Sequence, residues 1–156
     1  MFSVINNFTN NQKFYALLNI KENFPWYLEP NTAIFKHVLI KTNDLNKREV
    51  SPFSQKIAEP LLEKLQNKII YNLQIKFIVP TTKIKTNDFN ENDPENNNYI
   101  GILSLNSNDG SIKIYDQEKI KNEENRFVTF NKNIPYYHST STDLPNIFLE
   151  IEYGDN

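Results

Sequence analysis

Residues 99–116 read YIGILSLNSNDGSIKIYD. Two apolar runs, Tyr99–Leu105 and Ile112–Tyr115, are separated by the polar segment Asn106–Gly110. Each run is too short for a stable helix and has the length of a strand, and Asn, Asp and Gly between them are turn residues. The pair therefore reads as two adjoining antiparallel strands. Working outward, the same grammar repeats: LQIKFIVP before it, then NRFVTF, PYYHS and IFLEIEY after it, each bounded by Asn, Asp, Gly or Pro. A series of short strands at this spacing is the mark of an antiparallel sandwich or barrel.

The front of the chain is different. Thr9 with Gln12 three residues on has the form of a capping box, and Phe14, Leu17 and Leu18 give one apolar helical face. In ENFPWYLEPNTAIFKHVLIK, Pro25 and Pro30 argue against helix, while Ala33, Phe35 and Val38–Ile40 suggest a strand. A second helix is expected to open at Ser51-Pro52, with Ile57, Ala58, Leu61, Leu62, Leu65 and Ile69 on one face, and Pro60 should kink or divide it. The fold class expected is thus mainly β with flanking helices, the helices lying outside one sheet. The polar run Asn87–Asn98 reads as a long loop.

The chain has 156 residues, which suits a single domain spanning 1–156. A net charge of −2 gives no broad basic surface, so generic nucleic-acid binding is not expected. The absence of cysteine excludes disulfides, thiolate metal sites and thiol nucleophiles. No apolar run approaches the ~18 residues of a membrane span. The opening MFSVINNFTNNQ lacks the order of a signal peptide. A cytoplasmic protein is the expectation. With three glycines there is no phosphate-binding loop, and no Gly-x-Ser-x-Gly elbow occurs.

The order FPWY, then SPF opening a helix that ends EPLLEKL, then YIGILSLNSNDGSIKIYD, NRFVTF and YYHSTSTD resembles the prolyl-4-hydroxylase-like oxygenases that many tailed phages encode. The resemblance spans nearly the whole chain. It implies a double-stranded β-helix, a jelly roll of the cupin kind, carrying iron(II) and 2-oxoglutarate chemistry. For a phage-encoded protein it implies the host cytoplasm or the virion as location.

That chemistry uses two histidines and one carboxylate around iron, leaving open positions for cosubstrate and oxygen. The positions matching the family's His-x-Asp are Asn90 and Asn92, and Asp88, of the same strand parity, is a possible substitute ligand. The preferred reading of Asp88, together with Glu91 and Asp93, is as solvated loop charges. His138 in YYHSTSTD matches the distal histidine. Asn146 matches the arginine that holds the far carboxylate of 2-oxoglutarate, and no Lys or Arg follows Lys132. Lys76 reads as a solvent-facing strand lysine, Arg126 as an anchor of the turn before its strand, and His37 as a half-exposed sheet residue without a partner. Tyr99, Tyr136 and Tyr137 are candidate pocket residues, since a half-buried tyrosine pairs an apolar ring with a polar tip.

Two readings follow. In the first, the metal and cosubstrate ligands are largely lost; the chain is then a pseudoenzyme, a non-catalytic binding or assembly module needing no cofactor, with a protein partner or a second copy of itself. Trp26-Tyr27, between prolines, is a candidate contact for such a partner, or Trp26 caps the core. In the second, it is an active hydroxylase using iron(II) and 2-oxoglutarate at an atypical metal site built on His138.

Overall fold

The last strand organises the molecule, because its alternate residues serve two different interiors. The computed structural model describes residues 2–18, 24–30, 32–43, 47–86, 97–115, 117 and 119–155. In chain order the elements are β1 (Phe2–Ile5), α1 (Asn11–Leu18), β2 (Tyr27–Leu28), β3 (Ile34–Thr42), β4 (Arg48–Val50), α2 (Ser54–Lys64), β5 (Lys68–Ile78), β6 (Tyr99–Ser104), β7 (Ser111–Ile114), β8 (Ile120–Lys121), β9 (Phe127–Asn131), β10 (Tyr136–His138) and β11 (Asn146–Asp155). The large sheet has the order β1-β9-β6-β11-β5-β3-β2, with β4 also on β3, and the small sheet has the order β10-β7-β8. Every strand pair is antiparallel.

Strand β11 lies between β5 and β6, with Glu150 opposite Gln74 on one side and Ile102 on the other. Side chains alternate across a strand. Ile147, Leu149 and Ile151 therefore join Leu73, Ile75, Leu103 and Phe127 on the outer face, where Phe14 of α1 and Ile57, Ala58 and Leu61 of α2 cover them. Phe148 of the opposite parity joins Ile78, Ile100, Ile102, Val128 and Phe130 against Ile112, Ile114 and Tyr136 of the small sheet. The layers are helices, large sheet and small sheet, which is the expected antiparallel double-stranded β-helix with its helices on one outer face. Full burial of each such side chain contributes about 1.5–3 kcal/mol. Gly101 on β6 is required by this packing: a Cβ there would lie 2.4 Å from the Phe127 ring.

Several local expectations are corrected. Thr9 does not cap α1; its hydroxyl donates to Asn125 Oδ1 at 2.9 Å, and Asn10 caps instead, accepting from the Gln12 amide. Asn125, at φ 57°, returns a bond from Nδ2 to the Thr9 carbonyl, so a long-range pair overrides the local motif. Helix α2 starts at Ser54, one turn after Ser51, whose side chain accepts from the Phe53 amide. It runs through Pro60 undivided, with that ring buried, and ends before Ile69, which is exposed on β5. A proline costs one backbone donor, and burial of its ring on the core side offsets part of that. Strands β1, β4 and β8 were not foreseen. Trp26 is half-buried against the outer core, edge-on to Phe24 and Phe77. Arg126 does anchor its turn, donating to Asn6 Oδ1 and the Lys121 carbonyl.

Candidate functional site

Away from its apolar patch, the inner face of the large sheet is charged. Parity carries Asn72, Gln74 and Lys76 of β5, and Glu150 and Glu152 of β11, to this face. With Lys36 of β3, Glu29, Lys132 and Tyr136 of the small sheet they line a cavity of about 270 Å³. Each lysine meets a glutamate. Lys76 Nζ lies 2.8 Å from Glu150 Oε1, Lys132 Nζ 2.8 Å from Glu152 Oε1, and Lys36 Nζ 2.8 Å from Glu29 Oε1. Gln74 Nε2 donates to Glu150 Oε1 at 2.7 Å, and Asn98 Nδ2 to Glu152 Oε1 at 2.8 Å. Three lysines and three glutamates leave this wall with no net charge.

Glu150 connects the cavity to a buried layer behind it. Its Oε1 accepts from Lys76 and Gln74, while its buried Oε2 has no hydrogen-bond partner and lies 3.7 Å from His138 Nε2. That distance is an approach and not a hydrogen bond. Burial opposes ionisation of Glu150, but the Lys76 ammonium beside it prevails and holds the carboxyl well below the usual carboxylate range. His138 is itself buried, with its ring stacked on Phe148 at 4.0 Å and edge-on to Tyr136. Burial pushes its pKa down, Glu150 counters only in part, and the nearby Lys76 adds to the lowering. Neither ring nitrogen has a hydrogen-bond partner.

The other candidates are scattered. Tyr136 lines the cavity. Tyr99 belongs to the outer face, stacked on Tyr153 and packed against the helix-side core, and Tyr137 has the opposite parity to Tyr136 and His138 and is half-buried. Asn146 is buried on the inner face, its Nδ2 3.5 Å from the Ser139 carbonyl, and it does not line the cavity. Asp88, Asn90, Asn92, Glu91 and Asp93 lie outside the described residues. His37 is a correction: it is buried, with Nδ1 3.0 Å from the Pro25 carbonyl and Nε2 2.8 Å from Ser51 Oγ. Lys76 is another correction, since it faces the cavity with an ion-pair partner. Lys76, Glu150, Lys132 and Glu152 were not recognised as site residues; the available signal was LQIKFIV and IFLEIEY each placing charge at the parity of an apolar inward residue.

A two-histidine metal site does not fit these residues. The sequence has two histidines, and the large sheet separates them: His37 is opposite Ile75 and packs on Phe24 of the outer core, while His138 is on the inner side. Among the described residues, the carboxylate that approaches His138, Glu150, is committed to an ammonium. Among the described residues, no three His, Asp or Glu side chains converge to hold a metal ion. None of the described helices is long and apolar enough to cross a membrane.

No protein-family model and no curated protein matches the chain. Solved structures do. A 2-oxoglutarate–iron(II) oxygenase-family oxidoreductase from Burkholderia pseudomallei superposes with a TM-score of 0.77 at 11% identity, over 98% of this chain and 84% of that one. A prolyl hydroxylase from Trichoplax adhaerens, solved with a hypoxia-inducible-factor peptide, gives 0.69 at 11% identity over 99% and 83%. The viral collagen prolyl hydroxylase of Paramecium Bursaria Chlorella virus-1, solved with 2-oxoglutarate, gives 0.61 at 13% identity over 97% and 94%. The likeness is one of fold: this chain has the double-stranded β-helix of those oxygenases.

Proposed function

We propose that this chain is a non-catalytic binding module built on the oxygenase fold, working through its charged cavity and its surface. The observation that carries this reading is the separation of its only two histidines by the large sheet, so that one chain supplies no more than one imidazole to any inner site. Loss of an imidazole lowers iron(II) affinity, and the sequence offers the neutral amides of Asn90 and Asn92 at the other family positions. The cavity lysines are each paired to a glutamate, so a dicarboxylate meets cations already neutralised beside three carboxylates. The reading includes a protein partner or self-association, and a phage origin with the host cytoplasm or virion as its place.

The test is a titration of purified protein with iron(II) under anaerobic conditions, followed by measurement of succinate formed from 2-oxoglutarate. Weak iron binding and no succinate are expected. The unpartnered ring nitrogens of His138 favour the alternative, an active hydroxylase with an atypical site that includes Asp88. Iron-dependent succinate formation that disappears in His138→Ala would establish that alternative and end the first reading.

A further inference from the structure

We propose that the cavity between Lys36, Lys76, Lys132 and their glutamates binds a small zwitterion, a molecule carrying one ammonium and one carboxylate. This rests on the cavity being a binding site rather than a catalytic one. The two large-sheet strands that supply most of its floor, β5 and β11, are hydrogen-bonded neighbours, with Glu150 opposite Gln74 and Glu152 opposite Asn72. Lys36 and Lys76 stand on the β3–β5 side of that acidic strip, and Lys132, just past β9, stands on the other. The floor therefore reads cation, anion, cation across the sheet. A ligand ammonium placed over Glu150 and Glu152 leaves its carboxylate within the ring of lysines, each of which has three N–H donors.

Stability alone does not account for this wall. A buried ion pair contributes little net stability compared with apolar residues of the same volume, because both charges must be desolvated. Three pairs surround one cavity: Lys76–Glu150 is buried, and Lys132–Glu152 and Lys36–Glu29 are partly exposed, where an ion pair likewise adds little stability. The neighbouring inner-face residues Ile100, Ile102, Val128, Phe130 and Phe148 are apolar and buried. Glu150 is 7% exposed and lines the cavity. The neutral sum of the wall disfavours a dianion, which meets three carboxylates, and equally a dication. A cavity of about 270 Å³ lies at the small end of ligand sites, which are roughly 300–1,000 Å³, and so suits a ligand of few atoms.

Three probes of equal chain length separate the possibilities: 4-aminobutanoate, succinate and putrescine, titrated calorimetrically into the unmodified protein without iron. The zwitterion is expected to bind at about 1 mM or tighter and at least about tenfold better than either of the others. Glu152→Gln, which gives the wall one net positive charge, is expected to move the preference by about tenfold toward succinate. Lys132→Gln is expected to move it toward putrescine, and circular dichroism checks that both variants fold. No binding of 4-aminobutanoate at 10 mM, stronger binding of succinate or putrescine to the unmodified protein, or an unchanged preference in both folded variants overturns the proposal. None of these results involves oxygen chemistry, so a positive succinate-formation assay would refute the non-catalytic reading separately.

Discussion

The imidazole of His138 stacks on the ring of Phe148, with centroids 4.0 Å apart and planes 19° from parallel. One ring comes from the small sheet and the other from the centre of the large one, so this contact joins the two layers beside the cavity. It also fixes where the imidazole can point: Nε2 approaches Glu150 without bonding to it.

Phe148→Ala should therefore do more than open a hole. A buried Phe→Ala change costs about 3–5 kcal/mol. Urea unfolding should show a loss of this size, and the His138 ring resonances should broaden or shift as the stack disappears. A loss below about 1 kcal/mol would mean that the two layers are held together elsewhere.

Stability should fall as the solution is acidified, beginning near neutrality. Burial keeps the pKa of His138 below its ordinary value of about 6.5. Above that pH the ring is neutral in both states and contributes no pH dependence; below it the unfolded chain takes up a proton that the folded chain refuses. Glu150 adds a second decline below about 4.3, because its folded carboxyl stays ionised when the unfolded one protonates. Each group changes stability by at most about 1.4 kcal/mol per pH unit. Denaturation between pH 8 and 4 should show the first decline, and His138→Phe should remove it.

The fold was legible in the sequence because β6, β7, β9 and β11 announce themselves by local patterning. The site was less so. Lys76 and Glu150 are 74 residues apart, and each taken singly has the exposed-residue prior of its type. Only the register of β5 against β11 puts them together, and register is a long-range property. The final strand looked hostile to anions because it carries glutamates and no cation, yet its cations arrive from β3, β5 and the residue after β9. Thr9 failed for the same reason, its partner Asn125 being 116 residues away. His37 looked partnerless because the Pro25 carbonyl and Ser51 hydroxyl come from segments that meet only in the fold.

Breaking one half of the Lys76–Glu150 pair should cost more than removing both. Glu150→Gln leaves a buried ammonium and Lys76→Met a buried carboxylate, each expected to lose about 3–5 kcal/mol. The double variant Lys76→Met/Glu150→Met should recover most of that loss, with the amide of Gln74 left as the residual cost. A double-mutant cycle by chemical denaturation measures the coupling; strictly additive losses would show that the pair is not an energetic unit.

Gly101→Ala should destabilise although alanine is the smallest possible addition. The new Cβ would fall 2.4 Å from one Phe127 ring atom and 2.9 Å from Ile151 Cγ2, both inside the helix-side core. Overpacking of this kind costs about 1–3 kcal/mol. The same measurement on Gly110→Ala is a useful contrast, since its closest contacts are polar side chains of the Asn108–Asn122 loop pair, with the Thr140 carbonyl slightly farther off.

Asn146→Arg tests whether position 146 can serve as an anchor for 2-oxoglutarate. The family resemblance marks this position for an arginine, but the folded chain holds Asn146 at 1% exposure, two residues from Phe148 on the same inward face and outside the cavity lining. A guanidinium there must displace packed side chains and lose its water, so the variant should lose about 1–3 kcal/mol from overpacking alone. More follows from an unpaired buried charge. Binding of 2-oxoglutarate should not improve. Chemical denaturation and calorimetric titration of the same sample decide it: an arginine tolerated without loss, with 2-oxoglutarate binding gained, would mean that the fold can accommodate a cosubstrate anchor at this position.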